Sequence, residues 1–224
     1  MTILQGGSVN MEMDERMSEI SLATIKMFDT TLSFLEEAIS VYMQNIDASE
    51  LKMDDDSIDR LERKIEEGCL HIILKERPFA KDLRKVTGIF KLVEDIERLG
   101  DHAEDLVWTI TNLNKYNKGI KIESLTKEIQ VAMSMVKDSY RALAKGDVSL
   151  AKEIEKRDDV EDSLYLESLK DIPTYKDKYN FSDEFILYAT LLAKYSERIA
   201  DHASNIAEWV VYIENGYYKD EVII

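Results

Sequence analysis

Two nine-residue windows, 97–105 and 197–205, match each other at a spacing of 100 residues, and this repeat constrains the fold more than any other feature. Five positions are identical and three more are similar in size or shape. Two of the chain's three histidines fall at equivalent places in the windows. A further match links 55–61 with 158–164. Repeated windows indicate a duplicated supersecondary unit, so the chain is expected to fold as two similar halves.

Apolar residues in the first half recur at the spacing of amphipathic helices. The stripes predict one helix over about residues 12–46, a second that begins near Ile58 and stops before Pro78, and a third over 83–113. Proline disfavours a helical conformation at the residue before it, so the second helix is expected to end before Pro78. Three helices therefore form the first unit.

The second half repeats the pattern. Its stripes predict a fourth helix over 122–143, a fifth that begins at the candidate N-cap Asp147 and ends at Pro173, and a sixth over 185–213 behind the candidate N-cap Ser182. The chain has only 8 glycines and 2 prolines, which suits long uninterrupted helices.

The predicted fold class is all-α, with six long helices in two antiparallel three-helix bundles related by a pseudo-twofold axis. We place the boundary between the two units near Lys118, so that they cover 1–117 and 118–224. A coiled-coil rod would require strict a and d heptads, whereas these apolar stripes are wider and are interrupted between helices.

The charge of the chain excludes one class of function. A formal net charge of −16 repels a nucleic acid backbone, and no basic run offsets it. The single cysteine, Cys69, lies in an apolar stretch and is expected to be a buried thiol. No segment has the length or apolar character of a membrane span, and we expect a cytoplasmic protein.

Pairs of acids spaced four residues apart recur in both halves, and residues at this spacing lie on one helix face. There are four such pairs: Asp55 with Asp59, Glu97 with Asp101, Asp158 with Asp162, and Glu197 with Asp201. Like charges at this spacing repel unless a cation neutralises them. If the helices face each other, each half would present an all-oxygen site suited to Mg, Ca, Mn, Fe or Zn.

Two alternatives to metal binding remain. The acids could be solvated surface groups in a chain with 45 of them, or Arg98 and Arg198 could pair with them and join helices. His102 and His202 are turned about 100° from the acidic face, so we interpret them as packing or hydrogen-bonding residues. The Glu-x-x-His spacing of di-iron bundles is absent from the sequence around them, and no catalytic constellation suggests an enzyme.

The segment 77–84, the two repeated windows and the ending 205–209 resemble the signatures of the PhoU family over nearly the whole chain. The resemblance implies two pseudo-twofold-related bundles, with multinuclear iron or zinc clusters on their surfaces in some members. It places the ligand motif on Glu97, Asp101, Glu197 and Asp201, with the pairs on the preceding helices as facing partners: Asp55, Asp59, Asp158 and Asp162. Asp105 and Asn205 are weaker candidates.

The resemblance also implies a function, namely negative control of high-affinity phosphate uptake and of the phosphate-starvation response. It implies contacts with the ATPase of a phosphate ABC transporter and with a sensor histidine kinase, so that the membrane is reached only through partners. We expect a homodimer. The alternatives are a metal-storing or metal-sensing bundle, a pure scaffold, and a regulator of a different transporter.

Overall fold

The computed structural model describes residues 5–44, 51, 55–117, 119–218 and 221–222, and this part of the chain is almost entirely helical. Its helices are α1 (Gln5–Gln44), α2 (Asp55–His71), α3 (Lys81–Leu113), α4 (Glu123–Lys145), α5 (Val148–Tyr179) and α6 (Asp183–Asn215). A π-helical turn, Ile72–Glu76, extends α2. The short strands β1 (Tyr217–Tyr218) and β2 (Glu221–Val222) pair antiparallel after α6. The predicted all-α class is confirmed, with this hairpin as an addition that the sequence did not indicate.

Helices α1, α2 and α3 pack into one bundle, and α4, α5 and α6 pack into a second. The largest interface in the chain lies between α3 and α6, one helix from each bundle. Gly88, near the start of α3, lies against Ile213, near the end of α6. At the opposite end of this interface, the rings of Trp108 and Tyr188 are 5.6 Å apart. The two central helices are therefore antiparallel, as a pseudo-twofold arrangement requires.

One predicted boundary differs from the structure, and another falls on a residue that the structure does not describe. Helix α1 begins at Gln5, before the first apolar position of the stripe that predicted a start near residue 12. The predicted boundary at Lys118 falls on a residue outside the described part of the chain, between the end of α3 and the start of α4. The division into 1–117 and 118–224 stays a prediction.

The prediction that the fifth helix ends at Pro173 is wrong, because α5 continues through this proline to Tyr179. A proline inside a helix costs about 3 kcal/mol, so tertiary contacts must offset it. The extension packs into an aromatic cluster, in which Tyr175 contacts Tyr179, Tyr179 contacts Phe181, and Phe181 contacts Phe185 with ring centroids 4.6 Å apart. The proline ring itself faces solvent.

The junction between α4 and α5 forms as the sequence predicts. Gly146 ends α4 with a left-handed conformation, φ 64°, which glycine adopts without strain. The Asp147 side chain then caps α5 by accepting a hydrogen bond of 3.0 Å from the backbone N–H of Leu150. Ser182 occupies the N-cap position of α6, but its side chain does not hydrogen-bond to the first turn of backbone.

Close approach of the two central helices depends on a glycine. A Cβ atom added at Gly88 would lie 2.3 Å from Cγ1 of Ile213, far inside van der Waals contact. The hydroxyls of Thr87 and Tyr212 lie 3.2 Å apart at the same crossing. The joint between the bundles is therefore packed too closely here for any larger residue.

Two glutamates are buried in the core of the second bundle. Glu128 is 0% exposed and Glu161 is 1% exposed, and neither oxygen of Glu128 nor Oε1 of Glu161 has a hydrogen-bond partner of good geometry. Burial raises the pKa of Glu128 to about 8, and burial together with the nearby Glu128 charge raises that of Glu161 to about 9. By the sequence repeat, Glu161 corresponds to the buried Ile58. The second core thus holds acids that favour their protonated form at neutral pH.

Changing Gly88→Ala is expected to lower the free energy of unfolding by about 1–3 kcal/mol, because the added methyl group must displace Ile213. Urea denaturation would measure the change. In an Ile213→Ala background the same substitution should be neutral or stabilising, because the clash is gone and alanine favours helix. An equal loss in both backgrounds would contradict this account of the joint.

Changing Glu161→Ile, which copies Ile58, is expected to raise the free energy of unfolding by about 1–4 kcal/mol at neutral pH. The folded pKa exceeds that of the unfolded chain, so the wild type loses stability as pH rises from about 4.5 towards about 9. The difference in free energy of unfolding between the variant and the wild type should therefore widen over that range.

Urea denaturation at several pH values would measure this gap. Glu153→Ile, at an exposed position of the same helix, serves as the control and should show no gap that depends on pH in this way. A constant difference between wild type and Glu161→Ile across the range would show that Glu161 is not a buried protonated acid.

Candidate functional site

The predicted acids of α3 and α6 are each neutralised in part by a cation of their own helix. The guanidinium of Arg98 lies 2.8 Å from Asp101 and 3.5 Å from Glu97, and these acids raise the Arg98 pKa. On α6, the Nζ atom of Lys194 lies 2.6 Å from Glu197. Because both cations belong to the same helix as their acids, these pairs do not join neighbouring helices.

On the first bundle, α2 presents its acids to α3. Asp59 lies 3.2 Å from Arg63, one turn along the same helix, while the side chain of Asp55 lies outside the described part of the chain. The pKa of Glu62 is raised to about 7, chiefly because burial removes water from its carboxylate. Four neighbouring acids raise it further: Glu97, Glu66, Asp59 and Glu94. The two acidic faces of this bundle therefore form one cluster.

On the second bundle, the structure brings the four predicted acids of α5 and α6 together. The pKa of Asp201 is raised to about 6 by burial and then by Glu197 and Asp158. Burial also raises the pKa of Asp158, with further contributions from Asp162 and Glu197. Arg198 lies 3.9 Å from Glu197 and lowers the Asp201 pKa only as a minor effect. We call Asp158, Asp162, Glu197 and Asp201 the second cluster. Of the two predicted ligand sets, this one is therefore the more strongly shielded from water.

Both clusters supply the carboxylate oxygens that hard and borderline cations prefer. In the described residues, however, no group of three or more acidic, histidine or cysteine side chains is arranged to hold one metal ion. A cation at the second cluster would compete with Lys194 for Glu197 and with the Ser204 hydroxyl, which donates a 2.9 Å hydrogen bond to Asp158. The donor chemistry fits a metal, and the eight-residue ligand set stays a prediction.

The two repeated histidines lie at the joint between the bundles. The rings of His102 and His202 are 5.5 Å apart, so equivalent residues of the two halves meet and the pseudo-twofold axis passes between them. His202 Nδ1 is 2.9 Å from Asp95, which also accepts a hydrogen bond from Asn205, while His102 Nδ1 is 3.3 Å from Asp105. Burial lowers the His102 pKa. Their interpretation as packing and hydrogen-bonding residues is confirmed.

Several acids of the clusters were not singled out from the sequence. Glu62 and Glu66 continue the acidic face of α2 at helical spacing, and Glu94 lies one turn before the acid pair of α3, so the signal was present. Glu161 could have been found from the sequence repeat, which places it at the position of the apolar Ile58, whereas Glu128 gave no such signal and only packing shows that it is buried. The charges of the second cluster help to keep both protonated, because Glu197 raises the pKa of each and Asp201 adds to the effect on Glu161.

Comparison with known proteins identifies the family. The PhoU domain matches the chain twice, over residues 24–109 and 125–210, one copy in each bundle. A Clostridium acetobutylicum protein described as a phosphate-specific transport system accessory protein PhoU homolog is 37% identical over 175 residues, which cover 74% of this chain and 76% of that protein.

Solved structures agree. The crystal structure of PhoU from Pseudomonas aeruginosa has a TM-score of 0.70 at 28% identity and covers 95% of this chain and 100% of its own. The phosphate transport system regulatory protein PhoU from Streptococcus pneumoniae, at 24% identity, shares the fold with a TM-score of 0.79, covering 95% of this chain and 99% of its own. Each bundle thus contains one copy of the PhoU domain, and the chain belongs to the PhoU family.

Proposed function

We propose that this chain is a negative regulator of high-affinity phosphate uptake and of the phosphate-starvation response. Family membership indicates an accessory, regulatory role in phosphate transport, and the double PhoU domain match over both bundles is the observation that carries the proposal. The proposed regulator acts in the cytoplasm, as a homodimer, through contacts with the ATPase of a phosphate ABC transporter and with a membrane-bound sensor histidine kinase.

Regulation by contact suits the charge and surface of the chain. No helix in the described residues is both long enough and apolar enough to cross a membrane. The net charge of −16 is concentrated on the helix faces, and charged surfaces give association its speed and specificity. The proposed regulation therefore acts through protein contacts.

Metal binding at the acidic clusters would be part of the same mechanism. Repulsion from neighbouring acids contributes to the raised pKa values of Asp158 and Asp201, and a bound cation would relieve that repulsion. Multinuclear iron or zinc would supply positive charge there, so that an anionic or acidic partner could approach the face. The four acids of the second cluster would hold it: Asp158, Asp162, Glu197 and Asp201. Their counterparts on the first bundle would form the second such site.

Deleting the gene is expected to raise phosphate uptake and the transcription of phosphate-starvation genes when phosphate is plentiful, because the repressing contact is lost. Uptake of labelled phosphate and a starvation-promoter reporter would measure the change. The intact gene supplied in trans should restore both to the starting level. Uptake and transcription that do not respond to the deletion would refute the proposal, and a response to metal supply alone would favour a metal-sensing bundle.

Protein purified without chelator or affinity metal is expected to contain several iron or zinc ions per chain, measured by elemental analysis. The ions should be lost when the acids of the two central helices are neutralised together: Glu97→Gln, Asp101→Asn, Glu197→Gln and Asp201→Asn.

The control for this measurement removes the same four charges from exposed positions elsewhere: Glu19→Gln, Glu37→Gln, Glu153→Gln and Asp177→Asn. It should keep the metal content of the wild type. A wild type without metal, or equal loss in both variants, would leave the acids with a structural role and direct attention to partner-binding surfaces.

A further inference from the structure

Large hydrophobic side chains are unusually exposed in the connection between α2 and α3. Phe79 is 85% exposed and Leu74 is 72% exposed, the two highest values among the large hydrophobic side chains described. Leu70, one turn before Leu74, is 47% exposed. We refer to residues 70–85 as the α2–α3 knob. Exposed apolar side chains grouped in one short segment, as these are, are typical of contact surfaces in proteins.

The backbone of the knob has an unusual and specific conformation. Arg77 has φ 50° and ψ 59°, and Ala80 has φ 48° and ψ −109°, although neither is glycine. Such conformations are costly for residues with a side chain and persist where the surrounding structure imposes them, often at functional sites. They flank Pro78 and Phe79, and a π-helical turn precedes them. In this turn Phe79 is exposed between two residues whose backbone conformation is costly.

The charge of the knob is opposite to that of the chain. Between Leu74 and Lys85 there are two acids, Glu76 and Asp82, and five bases: Lys75, Arg77, Lys81, Arg84 and Lys85. Lys75, Arg77 and Lys81 are all exposed. The chain as a whole carries a net charge of −16. A positive, apolar projection on an acidic protein is complementary to a surface that is both anionic and able to take up apolar side chains.

An anionic phospholipid bilayer has both properties. Protruding aromatic and aliphatic side chains enter the boundary between headgroups and acyl chains, while flanking lysines and arginines contact the anionic headgroups. A ring that is 85% exposed has no groove of its own protein around it, and a bilayer accepts such a projection without needing a complementary pocket. A protein partner would have to provide one.

We propose that the α2–α3 knob docks the protein directly on an anionic phospholipid surface, with Phe79 and Leu74 inserted and Lys75, Arg77 and Lys81 at the headgroups. This contact is additional to any contact made through membrane-bound partners and does not depend on the proposed function. The rest of the chain is too acidic to approach the same surface. The attachment is therefore confined to one end of the first bundle, and salt weakens it.

Co-sedimentation of the full-length protein with lipid vesicles tests the proposal. Vesicles of phosphatidylcholine with phosphatidylglycerol should bind the protein at low salt, and vesicles of phosphatidylcholine alone should not. High salt should release it. The double variant Leu74→Ser, Phe79→Ser should bind the anionic vesicles about tenfold more weakly, because the inserted apolar groups are gone.

The matched control is Leu166→Ser with Leu187→Ser, two leucines of the second bundle that are 55% and 54% exposed. Circular dichroism would establish that both variants keep the helical content of the wild type. Unchanged vesicle binding by the control, with loss in the knob variant, supports the proposal. Absence of wild-type binding to the anionic vesicles, or equal binding by the two variants, overturns it and assigns the knob to a protein partner.

Discussion

The close antiparallel contact between α3 and α6 is the interaction on which the rest of the structure depends. It is the largest interface of the chain, it joins the two bundles, and it lets equivalent residues of the two halves meet at His102 and His202. Gly88 permits the helices to approach at one end. Because α3 and α6 use one side to contact each other, their acidic faces lie against α2 and α5. The position of both acidic clusters therefore follows from this joint.

The two halves share a fold but differ in electrostatics. His202 contacts the carboxylate of Asp95, while the equivalent contact of His102 is with the ring of Tyr195. The second core contains Glu161 where the first contains Ile58, and burial together with nearby acids, Asp201 among them, raises the pKa of its carboxyl group to about 9. Burial of charge costs free energy unless a proton or a cation neutralises it.

Much of the candidate site could be predicted, because helical spacing is sufficient to place Glu197 and Asp201, or Asp158 and Asp162, on one face. Helical spacing also places Glu62 on the acidic face of α2, but periodicity does not reveal which helices become neighbours, so only the packing of α2 on α3 showed that Glu62 lies near Glu97. The continuation of α5 beyond Pro173 was missed for the same reason. Local preference favoured a stop there, and the packing of an aromatic cluster over residues 175–185 outweighed it.

The sequence by itself determined the all-α class, the duplication, the six helices and the pairing of acids along each helix, because these depend on local spacing and on repetition. The tertiary structure decided which residues lose contact with water. It placed two glutamates in a core, brought the acids of α5 and α6 together and left Phe79 exposed on a strained turn. Burial is a property of the packed chain and not of any segment, and it is burial that sets both the charge of an acid and the availability of an apolar side chain.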